Sequence, residues 1–372
     1  MIVRFALYSL ISLASAYPVF AETEKPEFRE VLPGYNYQFP RDHASHDEFR
    51  IEWWYYTGNL IEMEGEREFG YQLTFFRVGL DPEKKIENPS RWTVRQIYFS
   101  HLTVSDLKND RFYYFERINR KGLGLAGADT EKLHVWNEDW SLEGNGESQN
   151  LKALQNGTGL DLQLQASKPM VIHGKDGISR KGEKEGNASH YFSFPRMATE
   201  GLIQIRDQTF KVRGTSWMDR EFSSNQLNLG LEGWDWFSIK LNNNTELMLY
   251  QLRKKGGGVD SFSSGTFIDE QGKAKHLLLS QFNIKATKKW TSDATDIEYP
   301  AGWKIEVPDR KISLTIKPDM NDQELSRLRS INASYWEGSV SASGNIAGKP
   351  VKGKGYVELV GYGKALKDVR NE

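Results

Sequence analysis

Apolar and polar residues alternate over short stretches along most of this chain, and Gly, Asn and Asp separate the stretches. This period of two is typical of antiparallel strands joined by tight turns. It predicts a strand over Phe69–Phe76, a hairpin between Gln96 and Arg117, and a turn at Asn242–Asn244. Helical periodicity is scarce, and one short helix is predicted where Asn321 or Asp322 caps Gln323–Leu328. The pattern therefore predicts an all-β protein.

The same arrangement of aromatic and acidic residues occurs twice along the chain. The matched segments are Glu52–Tyr55 with Asp235–Phe237, Tyr71–Leu73 with Tyr250–Leu252, Ala188–Tyr191 with Ala333–Trp336, and Trp217–Asp219 with Tyr356–Glu358. Repetition of a unit that closes an antiparallel sheet predicts two barrels or strongly curved sandwiches. We place the domains at residues 22–226 and 227–372.

The first 21 residues have the layout of a secretory signal peptide. Arg4 precedes an apolar run from Phe5 to Phe20, and small residues precede the expected cleavage after Ala21. A weaker cleavage site lies at Ala14–Ala16, and a buried N-terminal helix is disfavoured by the serines and Pro18. We therefore expect a periplasmic or secreted protein.

Composition excludes several functional classes. The chain has no Cys, which excludes a thiol enzyme and a lipid-anchored lipoprotein. Without Arg4 it carries 48 basic against 50 acidic residues, which gives no electrostatic basis for binding nucleic acid. It nevertheless contains 11 Trp, 16 Tyr and 19 Phe at a mean hydropathy of −0.62. Alternating strands can gather these rings around an enclosed cavity.

Several ordered motifs resemble those of a known family. They are Pro40–His43, Glu52–Gly58, Ser216–Asp219, Gly233–Ser238 and Tyr335–Gly338. Together they resemble the AttH-like secreted proteins, which are relatives of carotenoid 1,2-hydratase (hydroxyneurosporene synthase). The resemblance covers nearly the whole mature chain. It implies two lipocalin-like antiparallel β-barrel domains packed together, with a site for a hydrophobic ligand.

Hydration of an alkene requires an acid that protonates carbon, an aromatic wall and a positioned water. Asp219 is the candidate acid because burial beside Trp217 and Phe222 would raise its pKa. His190 is the candidate that orients the water or holds the acid. The resemblance aligns the hydratase quartet of His, Trp, Tyr and Asp with His190, Phe192, Trp217 and Asp219. As alternatives, Asp219 is a structural carboxylate held by Arg213, Arg220 or backbone amides, and His190 is a core residue.

Further ligand-binding candidates lie on the aromatic strands. They are Trp54, Tyr56, Phe192, Trp217, Trp236 and Glu52. Alternation directs Trp54 and Tyr56 to one face of their strand and Trp53 and Tyr55 to the other. Glu52 is either a second acid in the cavity or half of an ion pair with Arg77, and the ion pair is favoured.

Other kinds of site have little support in the sequence. His43 and His46 lack a clear third metal ligand, and Gly214–Met218 lacks the second glycine of a nucleophile elbow. We therefore expect no metal and no cofactor. The charged stretch Arg180–Gly186 is interpreted as a solvated loop or as a cover over the cavity mouth.

Two functions follow from these observations. One is a hydro-lyase acting on an unsaturated lipid or isoprenoid-like molecule through Asp219. The other is a non-catalytic periplasmic carrier of such a ligand that works with an ABC-type exporter.

The N-terminal analysis is tested by isolating the protein from its own cells. Osmotic shock should release a soluble chain that begins at Glu22, because the export machinery removes residues 1–21. N-terminal sequencing of the released protein checks this. Protein that retains Met1 in the cytosolic fraction would contradict it.

Overall fold

A computed structural model describes residues 28–80, 94–224 and 230–363 of the chain. The predicted signal peptide and the predicted domain boundary at 226/227 lie outside these residues. Within them, no helix is long and apolar enough to span a bilayer. Helical structure in this part of the chain is limited to three 3₁₀ turns, at Arg41–His43, Leu279–Gln281 and Pro308–Arg310. The prediction of an all-β fold is confirmed.

The first sheet contains 13 strands, all paired antiparallel. They are β1 (Ile51–Glu62), β2 (Glu68–Gly79), β3 (Gln96–Asp106), β4 (Arg111–Arg120), β5 (Ala126–Ala128), β6 (Leu133–Asn137), β7 (Trp140–Gly144), β8 (Ser148–Gln155), β9 (Thr158–Ala166), β10 (Val171–Ile172), β11 (Ser179–Arg180), β12 (Ala188–Ile205) and β13 (Gln208–Ser223). Their order is β4-β3-β2-β1-β13-β12-β9-β8-β7-β6-β5, and β10 and β11 pair with β12. The predicted strand at Phe69–Phe76 and the hairpin from Gln96 to Arg117 are confirmed.

This sheet curls into a nearly closed barrel. Arg117 on β4 donates to the carbonyl of Asn137 on β6 at 2.9 Å, and Asn119 donates to the Asn137 side chain at 2.8 Å. A parallel bridge between Lys121 and Ala126 links the two ends of the sheet. The barrel interior is filled by fully buried aromatic and aliphatic side chains. The barrel is therefore a packed core.

The second sheet contains 10 strands, and a separate two-stranded ribbon lies beside it. The strands are β14 (Leu231–Leu241), β15 (Glu246–Lys254), β16 (Ser264–Ile268), β17 (Ala274–Leu278), β18 (Asn283–Ala286), β19 (Lys289–Thr291), β20 (Glu298–Pro300), β21 (Trp303–Val307), β22 (Ile312–Pro318), β23 (Glu324–Leu328), β24 (Ala333–Ile346) and β25 (Lys349–Val360). Their order is β17-β16-β15-β14-β25-β24-β22-β21-β18, with β23 paired to β24 and β19 to β20. Asn242–Asn244 forms the predicted turn.

The helix predicted over Gln323–Leu328 is wrong, because this segment forms β23. Its residues pair with Tyr335 and Trp336 of β24, and Leu325 and Leu328 are buried in a cluster with Tyr335. Tertiary pairing outweighs the local capping signal in so short a segment.

The sequence repeat corresponds to the same four-strand unit in each sheet. The order β2-β1-β13-β12 in the barrel matches β15-β14-β25-β24 in the second sheet. Tyr55 lies opposite Asp219, and Trp236 lies opposite Glu358. Asp219 and Glu358 are thus structural equivalents, as their sequence positions indicated. The register also makes Tyr191, rather than His190, the equivalent of Tyr335.

A buried ion cluster anchors the start of β1 inside the barrel. Glu52 forms ion pairs with Arg77 of β2 and Arg220 of β13, and all three side chains are fully buried. The Glu52 carboxylate also accepts from the Ser45 hydroxyl at 2.6 Å and from the His46 amide at 3.0 Å. The two guanidinium groups hold the pKa of Glu52 well below its usual range despite burial. Glu52 is therefore a structural carboxylate.

Replacing Glu52 tests this cluster. Glu52→Gln should lower the free energy of unfolding by about 3–5 kcal/mol, because it leaves Arg77 and Arg220 buried without their counter-charge. Urea unfolding followed by tryptophan fluorescence measures the loss. Glu298→Gln, which breaks an exposed ion pair with Lys289, is the matched control and should cost less than about 1 kcal/mol. Equal effects of the two substitutions would contradict the assignment.

Candidate functional site

The two sheets pack against each other through the outward face of the barrel, and this interface contains the candidate site. An aromatic cluster that draws on both sheets lies at its centre, with Tyr55, Tyr191 and Trp217 from the barrel and Trp236 and Tyr356 from the second sheet. The Tyr55 and Trp236 rings meet edge to face with centroids 5.2 Å apart. On an isolated sheet this aromatic face would be exposed to solvent. Each sheet therefore needs the other to bury its aromatic face.

Asp219 lies in this cluster and is 4% exposed. Its Oδ2 accepts from the Tyr191 hydroxyl at 2.8 Å, and its Oδ1 accepts from the Trp217 indole at 2.6 Å and from the Ser193 hydroxyl. Burial raises the pKa of Asp219 to about 7, and these three hydrogen bonds oppose the rise. At neutral pH the carboxyl therefore exists in both protonation states, as a general acid or base requires.

A hydrogen-bonded chain leads from Asp219 to a histidine that the sequence did not single out. Ser193 lies beside His173 Nε2 at 2.6 Å, and His173 Nδ1 lies beside the Thr266 hydroxyl of the second sheet at 2.8 Å. Because Ser193 donates to Asp219, it accepts from His173, which fixes the proton on Nε2. Burial lowers the pKa of His173 to about 3, so its ring is neutral. A second chain runs from the Trp236 indole through Tyr191 to Asp219.

The second sheet contributes a pair of carboxyls. Glu337 and Glu358 lie directly opposite each other on β24 and β25. Burial and the neighbouring Glu358 charge raise the pKa of Glu337 well above its usual range, and burial raises that of Glu358 to about 7. The Trp234 indole donates to Glu358 at 2.8 Å. Two adjacent carboxyls, of which Glu337 is fully buried, cannot both ionise easily, so this pair retains a proton at neutral pH.

Tyr55 connects the two sets of acidic groups. Its pKa is raised well above the usual range by burial and by the charges of Glu337, Glu358 and Asp219. Tyr55 lies opposite Asp219 on β13, and its strand β1 packs against β25, which carries Glu358 beside Glu337 of β24. Acid groups from both domains thus meet around a neutral hydroxyl.

Several buried polar atoms on these two faces lack a hydrogen-bond partner among the described residues. Within the described part of the chain, no hydrogen-bond partner is found for Thr57 Oγ1, Gln72 Oε1, Thr103 Oγ1 or Ser238 Oγ. Native interiors rarely leave such groups unsatisfied, and exceptions occur at functional sites. The interface is therefore suited to a ligand that supplies polar contacts.

Half-buried side chains border this interface. Trp53 and Trp234 pack at its edge, and Glu358 is itself only partly buried. Lys181 covers another part, with its amine 4.3 Å from the centre of the Tyr250 ring and 3.7 Å from Glu221. The stretch from Arg180 thus packs partly against the interface, so the interpretation as a solvated loop is incomplete.

The residues predicted for the site divide between the two faces of the barrel wall. Asp219, Trp217 and Trp236 lie between the sheets, whereas His190, Glu52, Trp54, Tyr56 and Phe192 lie on the barrel side. His190 contacts the rings of Tyr35 and Phe222 at 4.2 and 5.0 Å. The predicted pairing of His190 with Asp219 is wrong. His190 lies opposite Phe222 and shares its barrel-facing side, whereas Asp219 lies opposite Ser193 and faces the second sheet, because the faces alternate along each strand.

The arginines weighed as partners of Asp219 also lie elsewhere. Arg220 faces the barrel interior, where it binds Glu52, while Asp219 is held by hydroxyl and indole donors. No alternation signal identifies His173, since it follows the two-residue strand β10. Glu358 could be recognised in the sequence as the repeat equivalent of Asp219. Glu337 could be recognised as the cross-strand neighbour of Glu358 only from the strand register.

Comparison with known proteins places these features in a family. A profile described as AttH-like matches residues 30–362. The crystal structure of an AttH protein from Nitrosomonas europaea superimposes with a TM-score of 0.81 at 31% identity, covering 90% of this chain and 100% of that one. The lipocalin-like fold expected from the sequence is thereby confirmed.

Two named fungal proteins are similar at lower identity. The dehydratase asqC of Emericella nidulans is 21% identical over 54% of this chain and 57% of its own length. Kievitone hydratase of Fusarium solani subsp. phaseoli is 22% identical over 70% of this chain and 74% of its own. The crystal structure of kievitone hydratase from Nectria haematococca covers 91% of this chain and 98% of that one, with a TM-score of 0.67 and 15% identity.

The raised pKa of Asp219 is testable through stability. Because the folded state holds a proton on Asp219 up to about pH 7 while the unfolded state loses it near pH 4, this group makes stability fall as pH rises through that window. Between pH 5 and pH 8 its contribution should decrease by about 2.5–3 kcal/mol. Asp219→Asn should show a correspondingly shallower decline in urea unfolding measured at both pH values. An unchanged slope would assign the titration to other groups.

Proposed function

This chain belongs to the AttH-like family, and we propose that it is a hydro-lyase that adds water to, or removes it from, a lipophilic small molecule bound between its two sheets. The observation that carries this proposal is that Tyr55 lies opposite Asp219 in the barrel wall and Glu337 lies opposite Glu358 in the second sheet, on strands that face each other across a buried aromatic interface. The activities named for the fungal relatives, a dehydratase and a hydratase, are of this reaction type.

The protonation states at neutral pH suit the elimination direction. Glu337 holds a proton, while three donors directed at Asp219 stabilise its carboxylate. Asp219 would remove a proton from carbon, and Glu337 would give its proton to the departing hydroxyl, which leaves as water when the C–O bond breaks. The carbon–hydrogen electrons form the new C=C bond, so no oxidant or reductant is needed.

Hydration is the same step in reverse. Asp219 then delivers its proton to one alkene carbon, as the sequence analysis expected, and Glu337 takes a proton from the water that attacks the other carbon. Tyr191 and the Ser193–His173 chain hold Asp219 in place through hydrogen bonds. They are positioning residues, while Asp219 and Glu337 are the catalytic pair.

The aromatic interface supports a lipophilic substrate with a hydroxyl group or a double bond. Tyr55, Trp217 and Trp236 supply an apolar wall, and the unbonded hydroxyl of Ser238 offers a polar contact. The reaction takes place outside the cytoplasm, once residues 1–21 have been removed. The relatives named as a dehydratase and a hydratase favour this function over a carrier associated with an ABC-type exporter.

Turnover is tested with lipophilic β-hydroxy ketones and their unsaturated products in ¹⁸O-labelled water, followed by mass spectrometry. The wild-type protein should exchange label into the hydroxyl compound. Asp219→Asn and Glu337→Gln should each lower the rate by about 10²–10⁴-fold, because each removes one proton-transfer group while preserving shape. Bound substrate should still be retained in native mass spectrometry.

The control variant is Glu298→Gln, which alters an exposed carboxyl on the separate β19–β20 ribbon. It should exchange label at the wild-type rate. Retained exchange in folded Asp219→Asn and Glu337→Gln would remove this pair from the mechanism. Ligand retention without exchange in the wild-type protein would favour the carrier.

A further inference from the structure

A groove with a positive lining lies between the two sheets, away from the candidate site. Its volume is about 540 Å³, and its lining contains four cationic side chains, Arg196, Lys240, Lys352 and Lys354, and no carboxylate. The remaining lining is small or neutral, with Asn242 and the serines Ser341 and Ser343 among it. A groove of this size accommodates a small organic molecule.

Lys240 is the unusual member of this set. It is 3% exposed, and its amine has no hydrogen-bond partner within the described residues. A buried ammonium without a partner is costly, so lysines are seldom found in this state. Lys240 lies on β14, four residues after Trp236, so both side chains point to the same face of the strand. They are separated by about 13 Å along the strand.

The acids near Lys240 are engaged by other cations. Its strand neighbour Glu246 binds Lys168 at 2.8 Å and Arg196 at 2.6 Å. Lys354, opposite Lys240 on β25, binds Glu68 at 2.7 Å and lies 3.4 Å from Asp319. Positive charge around the Lys240 amine therefore exceeds the negative charge available to it.

We propose that this groove is an anion-binding site in which Lys240, Arg196 and Lys352 hold the carboxylate or phosphate group of a small organic molecule. An anion would give the Lys240 amine a hydrogen-bond partner and would balance the excess positive charge of the groove. Burial and the Arg196 charge lower the pKa of the Lys240 amine to about 7, and Glu246 opposes this. Anion binding should thus be tighter below pH 7, where the amine is charged.

The site is tested by isothermal titration calorimetry with two probes, sulfate and octanoate, neither of which titrates between pH 6 and pH 8. The wild-type protein should bind at least one of them with millimolar affinity at pH 6 and several-fold more weakly at pH 8. Binding of sulfate alone points to phosphate-bearing ligands and binding of octanoate alone to carboxylates. Both results support the site.

Lys240→Met keeps the length of the side chain and removes the amine. It should weaken binding at pH 6 by tenfold or more and abolish the difference between pH 6 and pH 8. Its urea midpoint should equal or exceed that of the wild type, since the amine has no partner to lose. Lys352→Gln, at an exposed position, should weaken binding several-fold without affecting folding, and Lys108→Gln, in the β3–β4 turn, should bind as the wild type does.

Failure of both probes to bind the wild-type protein at tens of millimolar would overturn the proposal. Equal binding by Lys240→Met and the wild type would do so as well. These measurements involve no turnover, so their outcome is independent of the hydro-lyase assay.

Discussion

The packing of the two sheets through their aromatic outward faces is the constraint on which the rest of the structure depends. In the barrel, β1 and β13 present Trp54 and Phe222 to the interior, and Tyr55 and Asp219 to the second sheet. Both faces of these strands are therefore buried. A strand with two buried faces must accommodate every polar side chain within the protein, so each polar group needs a partner or carries a cost.

The two faces meet this demand in different ways. Inside the barrel the charges of Glu52, Arg77 and Arg220 neutralise one another, and the ion cluster fixes the position of β1. Between the sheets Asp219 and Glu337 form no ion pair with any described residue, and burial raises their pKa values. The same low-dielectric environment thus yields a structural ion cluster on one side of the wall and proton-transfer groups on the other.

The repeated unit explains why acids from both domains meet at the centre. The two four-strand units face each other, with β1 against β25 and β2 against β24, which brings the equivalent positions Asp219 and Glu358 to the interface together. The neighbouring positions have diverged. Ser193, linked to His173, lies beside Asp219, whereas Glu337 lies beside Glu358. One half therefore holds a single carboxyl supported by donors, and the other a pair that shares a proton.

The sequence by itself determined the fold class and the repeated unit and pointed to Asp219 as a candidate acid, because strand alternation, turn residues and motifs are local properties of the chain. It also determined that Trp54 and Tyr55 point to opposite faces, since this follows from a period of two. Register decided the rest. The comparison of the two repeats was offset by one residue on β12, which placed His190 beside Asp219. In the structure His190 lies on the barrel-facing side of the wall and Asp219 on the side facing the second sheet. His173, Glu337 and Lys240 acquire their surroundings only from strands distant in sequence. Their roles therefore depend on which faces the folded sheets bring together, and no local pattern encodes that contact.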